Sequence, residues 1–366
     1  MVSNEDRADA VERPRRAGIR DVAARAGVSP GLVSRLVNGD STVRARPETR
    51  RAVMQAVKEL DYVPNSAAAS LRRGRTNAIG LVLDHATNPV FADLLRGARE
   101  AAAEFGYGLL IIDAADAEGD VQFFNDVVKS RRMDGLLLQG GYGPAADTLF
   151  RYCAAIPSVI INSAGNSLAT GVSLEDALAA QIATEHLIEL GHRHVVFVAG
   201  ASSESSGTRQ RGFETAMAAA DVALNQTSIV PGGWQASDGY SAVKRTMAAG
   251  RPVTAFLMGL AVPAIGALSA LAELGLAVPD DVSVVTIHDP WFARYLVPAL
   301  TTVAVPFHEL GRQAVLALME RLDGAEPRDV VVREPAPTLV VRGSTGPARR
   351  HAPEPTKESP NVTSDG

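Results

Sequence analysis

The sequence predicts an α/β protein in two unlike parts. An N-terminal three-helix head carries a helix-turn-helix and is followed by a hinge helix. After it comes a two-lobed core of parallel sheets flanked by helices. Three observations predict this. Arg20 to Asn38 reads as two short amphipathic helices around a tight turn, apolar strands alternate with helices from Ala78 onward, and charge is split unevenly along the chain. Residues 1–75 hold 15 Lys and Arg against 9 Asp and Glu, a net charge of +6, whereas the remainder is net −11. A basic head on an acidic body suits a protein that meets a polyanion at one end.

In the head, Ile19, Val22, Ala23 and Ala26 fall at helical spacing and can share one buried face. Gly27 follows, where a sharp turn needs φ > 0. Ser29 is a good N-cap and Pro30 suits the first helical position, since its missing N–H would have no partner there. Val33, Leu36 and Val37 turn inward, leaving Gly31, Ser34, Arg35 and Asn38 to project together. A plain helical hairpin is the alternative for this pair taken alone. A third amphipathic helix through Val53, Val57 and Leu60 favours the DNA-reading motif, whose second helix enters the major groove.

Residues 1–17 are charged and aperiodic, and are expected to be a disordered tail. The head is expected over 18–63 and a hinge over 64–76, alanine-rich and helix-capable but short of large side chains. From Ala78 the strands Ile79–Leu83, Leu109–Ile112, Gly135–Leu138 and Val159–Ile161 are expected, with helices at Phe91–Gly106, near Asp120–Arg131 and at Ala177–Leu190. A second alternation follows. The run Gly191–Gly200 starts it, with strands expected at Ser228–Val230, Ala255–Met258 and Val282–Ile287, and helices at Arg209–Ala220, Gly239–Ala249 and Ala264–Leu274. Strands alternating with helices give parallel sheets, and two successive sheets imply two lobes with a cleft between them. Pro298–Val303 reads as a return between lobes, Glu309–Leu322 as a last helix, and 345–366 as a disordered tail.

Other classes leave no mark. There is no Gly-x-Gly-x-x-Gly after a strand, no phosphate loop, no Gly-x-Ser-x-Gly elbow and no metal-spaced Cys/His set. The chain is therefore not expected to be an enzyme or to carry a cofactor or metal. Its single cysteine, Cys153, excludes an internal disulfide and suits a reducing compartment. No apolar run approaches a membrane span and the N-terminus lacks a signal-peptide pattern, so a cytoplasmic location with no membrane contact is expected.

The motifs Asp21-Val22-Ala23, Ala26-Gly27-Val28-Ser29, Val33-Ser34-Arg35, Val37-Asn38-Gly39, Glu48-Thr49-Arg50 and Tyr62-Val63-Pro64-Asn65 resemble those of the lactose-repressor (LacI/GalR-type) family of bacterial transcription factors. The resemblance runs from about Gly18 to Ser344. It implies a periplasmic-binding-protein-like core over 77–344, with a first lobe of about 77–173 and 305–335 and a second of about 174–303 and 336–344. It also implies a homodimeric, sequence-specific regulator, more often a repressor. Double-stranded DNA with a palindromic operator and a small-molecule effector, a sugar, glycoside or related metabolite, would be its partners. A solute-binding protein of the same fold without regulatory output is the alternative, against which the basic head and hinge argue.

By the same resemblance, DNA contacts are expected from Pro30, Gly31, Ser34, Arg35 and Asn38, and from Asn65, Ala68, Leu71 and Arg72 in the hinge. Leu71 would wedge into a central base step. Pro30 and Gly31 depart from the family, which usually carries polar groups at one or both positions. Effector contacts are expected from Asn88, Phe91, Asn162, Arg209, Trp234, Leu260, His288 and Phe307. Arg209 matches an arginine that clamps sugar hydroxyls or a carboxylate, a structural salt bridge being its alternative role. Leu260-Ala261 replaces a familiar Asn-Asp pair, and His288 takes the place of a ligand aspartate. With Val305 also apolar, these departures suggest an anionic or partly aromatic ligand, or a glycoside with an apolar portion.

Overall fold

The protein is described by a computed structural model covering residues 17–38, 40, 42–62, 75–83, 85–114, 132–140, 155–200, 203–225, 228–250 and 252–349. The chain divides into two compact units, residues 1–76 and 77–366. The expected hinge contacts Asn65, Ala68, Leu71 and Arg72 lie outside the described residues, as do Cys153 and the helix expected near Asp120–Arg131.

The head holds α1 (Ile19–Ala26), α2 (Pro30–Val37) and α3 (Pro47–Glu59). Gly27 ends α1 at φ 67°, a left-handed conformation that a side chain would strain. The Ser29 hydroxyl accepts from the Leu32 N–H at 3.3 Å, and Pro30 opens α2 as the sequence predicts. Val22, Ala23, Val33, Leu36, Val53 and Ala56 form the head's core, with Ile19, Ala26, Val37, Val57 and Leu60 packed around it. Val43, from the loop before α3, is buried there too. That loop is thereby anchored, and the exposed Arg44 and Arg46 follow the anchor.

The core contains two six-stranded sheets. The first is built from β1 (Ala78–Leu83), β2 (Gly108–Asp113), β3 (Gly135–Gln139), β4 (Ser158–Ile161), β5 (Thr170–Leu174) and β11 (Val330–Val332). Its order is β11-β5-β4-β3-β1-β2, parallel throughout. The second is built from β6 (Val195–Ala199), β7 (Ile229–Pro231), β8 (Ala255–Met258), β9 (Ser283–Ile287), β10 (Thr301–Ala304) and β12 (Thr338–Val340). Its order is β12-β10-β9-β8-β6-β7, with only β12 antiparallel. Continuous apolar runs such as Gly135–Gln139 are buried along their whole length, as a sheet covered on both faces requires.

Helices α4 (Ala92–Glu104) and α9 (Phe307–Leu322) cover the first sheet. Helices α5 (Asp176–Glu189), α6 (Glu204–Ala219), α7 (Ala236–Ala248) and α8 (Ala261–Glu273) cover the second. Glycines let paired helices touch. A Cβ on Gly266 of α8 would stand 1.7 Å from the Ala236 carbonyl oxygen of α7. The chain crosses between lobes three times, after β5, after β10 and between β11 and β12.

Several expectations are corrected. Pro298–Val303 is not merely a return between lobes, because Thr301–Ala304 is a buried strand of the second sheet and the crossing follows it. Strands β5 and β11 escaped the sequence reading. Thr170-Gly171-Val172-Ser173 alternates small and polar groups, and Val330–Val332 is a three-residue edge strand. Residues 345–349 are not tail. The Thr345 hydroxyl lies 2.9 Å from His186 Nε2, the Ala348 N–H donates to the Leu190 carbonyl at 2.8 Å, and Arg349 pairs with Asp281 at 2.5 Å. Among the described residues no helix is long and apolar enough to cross a membrane.

Candidate functional site

On α2, Val33 and Leu36 face the head's core, and Pro30, Gly31, Arg35 and Asn38 are exposed with Ser34 half-buried beside them. The five expected groups therefore share the outward face. One of them also has structural work. Asn38 Nδ2 donates to the Ser34 carbonyl at 2.6 Å and to its hydroxyl at 3.4 Å, closing the last turn of α2.

In the core, the eight expected positions Asn88, Phe91, Asn162, Arg209, Trp234, Leu260, His288 and Phe307 line one cavity between the lobes. The reason is topological. Gly140, Asn162, Leu260 and His288 follow the carboxyl ends of β3, β4, β8 and β9, where open parallel sheets place ligands. Asn88 Oδ1 accepts from the Val90 N–H at 3.1 Å, and the short turn it caps delivers Phe91 to the wall. Val90, Leu94, Gln139, Gly140, Ile161, Ser205 and Val262, none of them expected from the sequence, complete the lining. The cavity is about 30 Å³. That is room for a water or two, so any larger occupant requires the lobes to part.

Arg209 is placed differently from an open clamp. Helix α6 begins at Glu204 rather than at Arg209, and Arg209 within it is 2% exposed. Its Nε donates to Asp176 Oδ1 at 2.6 Å, Nη1 to the Gly259 carbonyl at 2.7 Å, and Nη2 to His288 Nε2 at 2.8 Å. Burial pushes the Asp176 carboxyl up against the opposing pull of Arg209. Asp176 lies 33 positions upstream and no local pattern marks it as the partner. His288 sits edge-on to Phe307, with ring centroids 4.5 Å apart, so second-lobe and first-lobe side chains meet directly. Burial and the adjacent Arg209 hold the His288 imidazolium well below its usual range, which leaves the ring neutral.

At the cavity rim, the Glu204 carboxylate accepts from the Ser163 hydroxyl at 2.5 Å and the Ala164 N–H at 2.9 Å, joining the lobes. Val305, expected among the apolar groups of the cleft, and Trp291 lie outside the lining. Val305 packs against both lobe cores, and Trp291 is 65% exposed beside Phe292 and Tyr295. His192 is buried, with its ring nitrogens 3.0 Å from the Thr254 and Ser283 hydroxyls and the Gly346 carbonyl. Among the described residues no group of three or more His, Cys, Asp or Glu gathers to hold a metal. A larger hollow of about 320 Å³ opens by Arg193, Val195, Val253 and Arg245, at the amino ends of β6 and β8, away from the ligand-binding end of the sheet.

Comparison with known proteins agrees with this architecture. Residues 18–65 match the family of bacterial regulatory proteins, lacI family, and residues 184–345 match a periplasmic binding protein-like domain. The chain is 34% identical over 341 residues to the HTH-type transcriptional repressor PurR of Erwinia tasmaniensis, covering 91% of this chain and 98% of the relative. A LacI family transcriptional regulator from Mycobacterium smegmatis superposes with a TM-score of 0.68 at 36% identity, over 74% of this chain and 99% of that one. The transcriptional regulator CelR in its cellobiose complex superposes with a TM-score of 0.66 at 28% identity, over 90% of this chain and 100% of that one. With its helix-turn-helix head and two parallel-sheet lobes, the chain belongs to the LacI family of bacterial regulatory proteins and is a DNA-binding transcriptional regulator.

Proposed function

We propose that this regulator is a dimeric repressor whose affinity for a palindromic operator is set by a small molecule held between the lobes. One observation carries the reading: eight side chains from separate stretches of both lobes converge on one cavity at the carboxyl ends of the strands. The cellobiose bound by the related CelR supports a small organic effector as the ligand type. The cavity is too small for such a ligand unless the lobes move. Effector and operator affinities are then coupled reciprocally through that motion. The proposed division of labour is operator reading by 18–63, a hinge over 64–76 contributing Asn65, Ala68, Leu71 and Arg72, and effector binding and pairing by 77–344, in the cytoplasm.

Arg35 stands exposed on α2, where a guanidinium suits a guanine edge or a phosphate. Arg35→Ala is expected to weaken operator binding by about 1–3 kcal/mol. Fluorescence anisotropy on a palindromic duplex at several salt concentrations checks this. A change within experimental error would remove Arg35 from the interface.

Pairing is supported by a surface of Trp291, Tyr295 and Val297, which are 65%, 71% and 94% exposed. Apolar groups clustered so openly mark a surface that a partner covers, here a second copy. Val297→Asp is expected to shift the protein from dimer toward monomer by about tenfold or more in Kd. Sedimentation velocity reads the shift, and an unchanged dimer would place the interface elsewhere.

The effector reading is tested by tryptophan fluorescence titrated with sugars, glycosides and small ring compounds. Trp234 lines the cavity, while Trp291 lies outside it. A saturable change that alters operator affinity supports the switch. Silence across the panel, in protein that binds operator DNA, removes it.

A further inference from the structure

Asn162 and His288 occupy equivalent places in the two lobes. Each is the first residue after an internal strand, β4 or β9, and each donates its backbone N–H to the neighbouring strand, Asn162 to Val172 at 2.7 Å and His288 to Val303 at 2.9 Å. Both are non-glycine residues in the left-handed region, at φ 58° and 78°. That conformation is strained for a residue with a side chain and collects where a side chain must be aimed. Both line the cavity, and each has one buried polar atom without a partner, Asn162 Oδ1 and His288 Nδ1. Leaving such atoms unmatched carries the desolvation cost of a buried polar group. A matching ligand recovers that cost.

The polarity of the histidine atom is fixed by its neighbour. A guanidinium only donates, so the bond from Arg209 Nη2 makes His288 Nε2 the acceptor and leaves the ring hydrogen on Nδ1. His288 therefore faces the cavity as a donor, where a carboxylate would be an acceptor. Asp176, by holding Arg209, is the positioning residue behind that choice. Asn162 Oδ1 is an acceptor from the opposite lobe. Charge is matched as well. Arg209 is the only lining residue among those described that carries a charge, and Asp176 meets it at 2.6 Å. Glu204 adds a carboxylate at the rim. A buried anionic ligand would thus bring a charge with no free counterpart, which is strongly unfavourable.

Building on the effector reading above, we infer that the cleft selects an uncharged ring compound that turns a hydrogen-bond acceptor toward His288 Nδ1 and a donor toward Asn162 Oδ1. Carboxylates are rejected. The ring lies among Phe91, Phe307 and Trp234, and a carboxamide, lactam or hydroxyl supplies the two polar contacts.

The test uses matched neutral and anionic probes on the full chain: benzamide with benzoate, nicotinamide with nicotinate, and methyl glucoside with glucuronate. Trp234 emission and thermal unfolding are the readouts. At least one neutral probe is expected to bind about tenfold or more tightly than its carboxylate partner. Asn162→Leu is expected to weaken that probe about tenfold. Asp176→Asn, which leaves the charge of Arg209 unmatched, is expected to move the preference toward the carboxylate. Should Asp176→Asn fail to fold, Asn162→Leu still decides. A carboxylate that binds as tightly as its neutral partner overturns the inference and leaves the effector reading standing. So does silence from all six probes when some other compound, lacking either polar group, changes Trp234 emission. Silence toward every compound tried overturns the effector reading and this inference together.

Discussion

Arg209→Ala is expected to destabilise the core by about 3–5 kcal/mol, far more than the removal of an open ligand clamp would. The variant strips three hydrogen bonds at once and strands Asp176, whose side chain is only 4% exposed, with no cation beside it. Burial already pushes that carboxyl up, and loss of Arg209 removes the groups that lower it. In the variant the native state thus holds a proton on Asp176 that the unfolded chain has released above its ordinary pKa. Stability therefore falls as pH rises through that interval and is least impaired in mild acid. Urea unfolding of the core at two pH values measures both effects. A loss below about 0.5 kcal/mol, the range of ordinary surface changes, would return Arg209 to a purely ligand-directed role. The double replacement Asp176→Leu with Arg209→Met separates the two roles further. It is expected to recover most of the stability, since a buried ion pair is often matched by apolar groups of similar volume, yet it frees the His288 tautomer and should still impair the cleft.

The head and most of the sheet strands were legible because their signals are local. Gly27, Ser29 and Pro30 each act within one turn, and the apolar runs at Ile79–Leu83 and Ala255–Met258 need no knowledge of their partners. Strands β5 and β11 were not legible because Thr170-Gly171-Val172-Ser173 alternates small and polar groups and Val330–Val332 is a three-residue edge strand whose place is fixed by its ladder to β5. The lining of the cavity was largely legible from the family resemblance, which carried all eight positions to one place. What those side chains do there was not. The partnership with Asp176 and the resulting donor face of His288 depend on residues 33 and 79 positions from Arg209, and no periodicity links them. The packing of 345–349 was missed for a similar reason. A Pro-, Ser- and charge-rich stretch reads as tail, but the buried His192 takes the Gly346 carbonyl as a partner and holds its beginning.

The stability of the core is expected to fall in acid from about pH 6.5 downward, with His288 as the largest single source. Its ring is held neutral by burial and by Arg209, while the same residue in the unfolded chain takes a proton near its ordinary pKa. Below that value the unfolded state binds the extra proton, so stability rises with pH across the window and is lost as pH drops. A group so strongly depressed contributes about 1.4 kcal/mol per pH unit. Burial lowers His192 and His186 too, and both act in the same direction. His288→Gln keeps an acceptor for Arg209 and a donor for the cavity but does not titrate. It is expected to lower the slope of unfolding free energy against pH by about 1 kcal/mol per unit between roughly pH 6.5 and 5.5, approaching about 1.4 kcal/mol per unit below that, as read from urea denaturation. An unchanged slope would mean that His288 charges in the folded protein. That result would also undo the fixed donor face, because an imidazolium must break the bond that Nε2 accepts from Arg209. The neutral ring has a functional counterpart. Since His288 does not titrate in the native state between pH 6.5 and 8, a ligand that uses its Nδ1–H should bind with an affinity independent of pH across that interval.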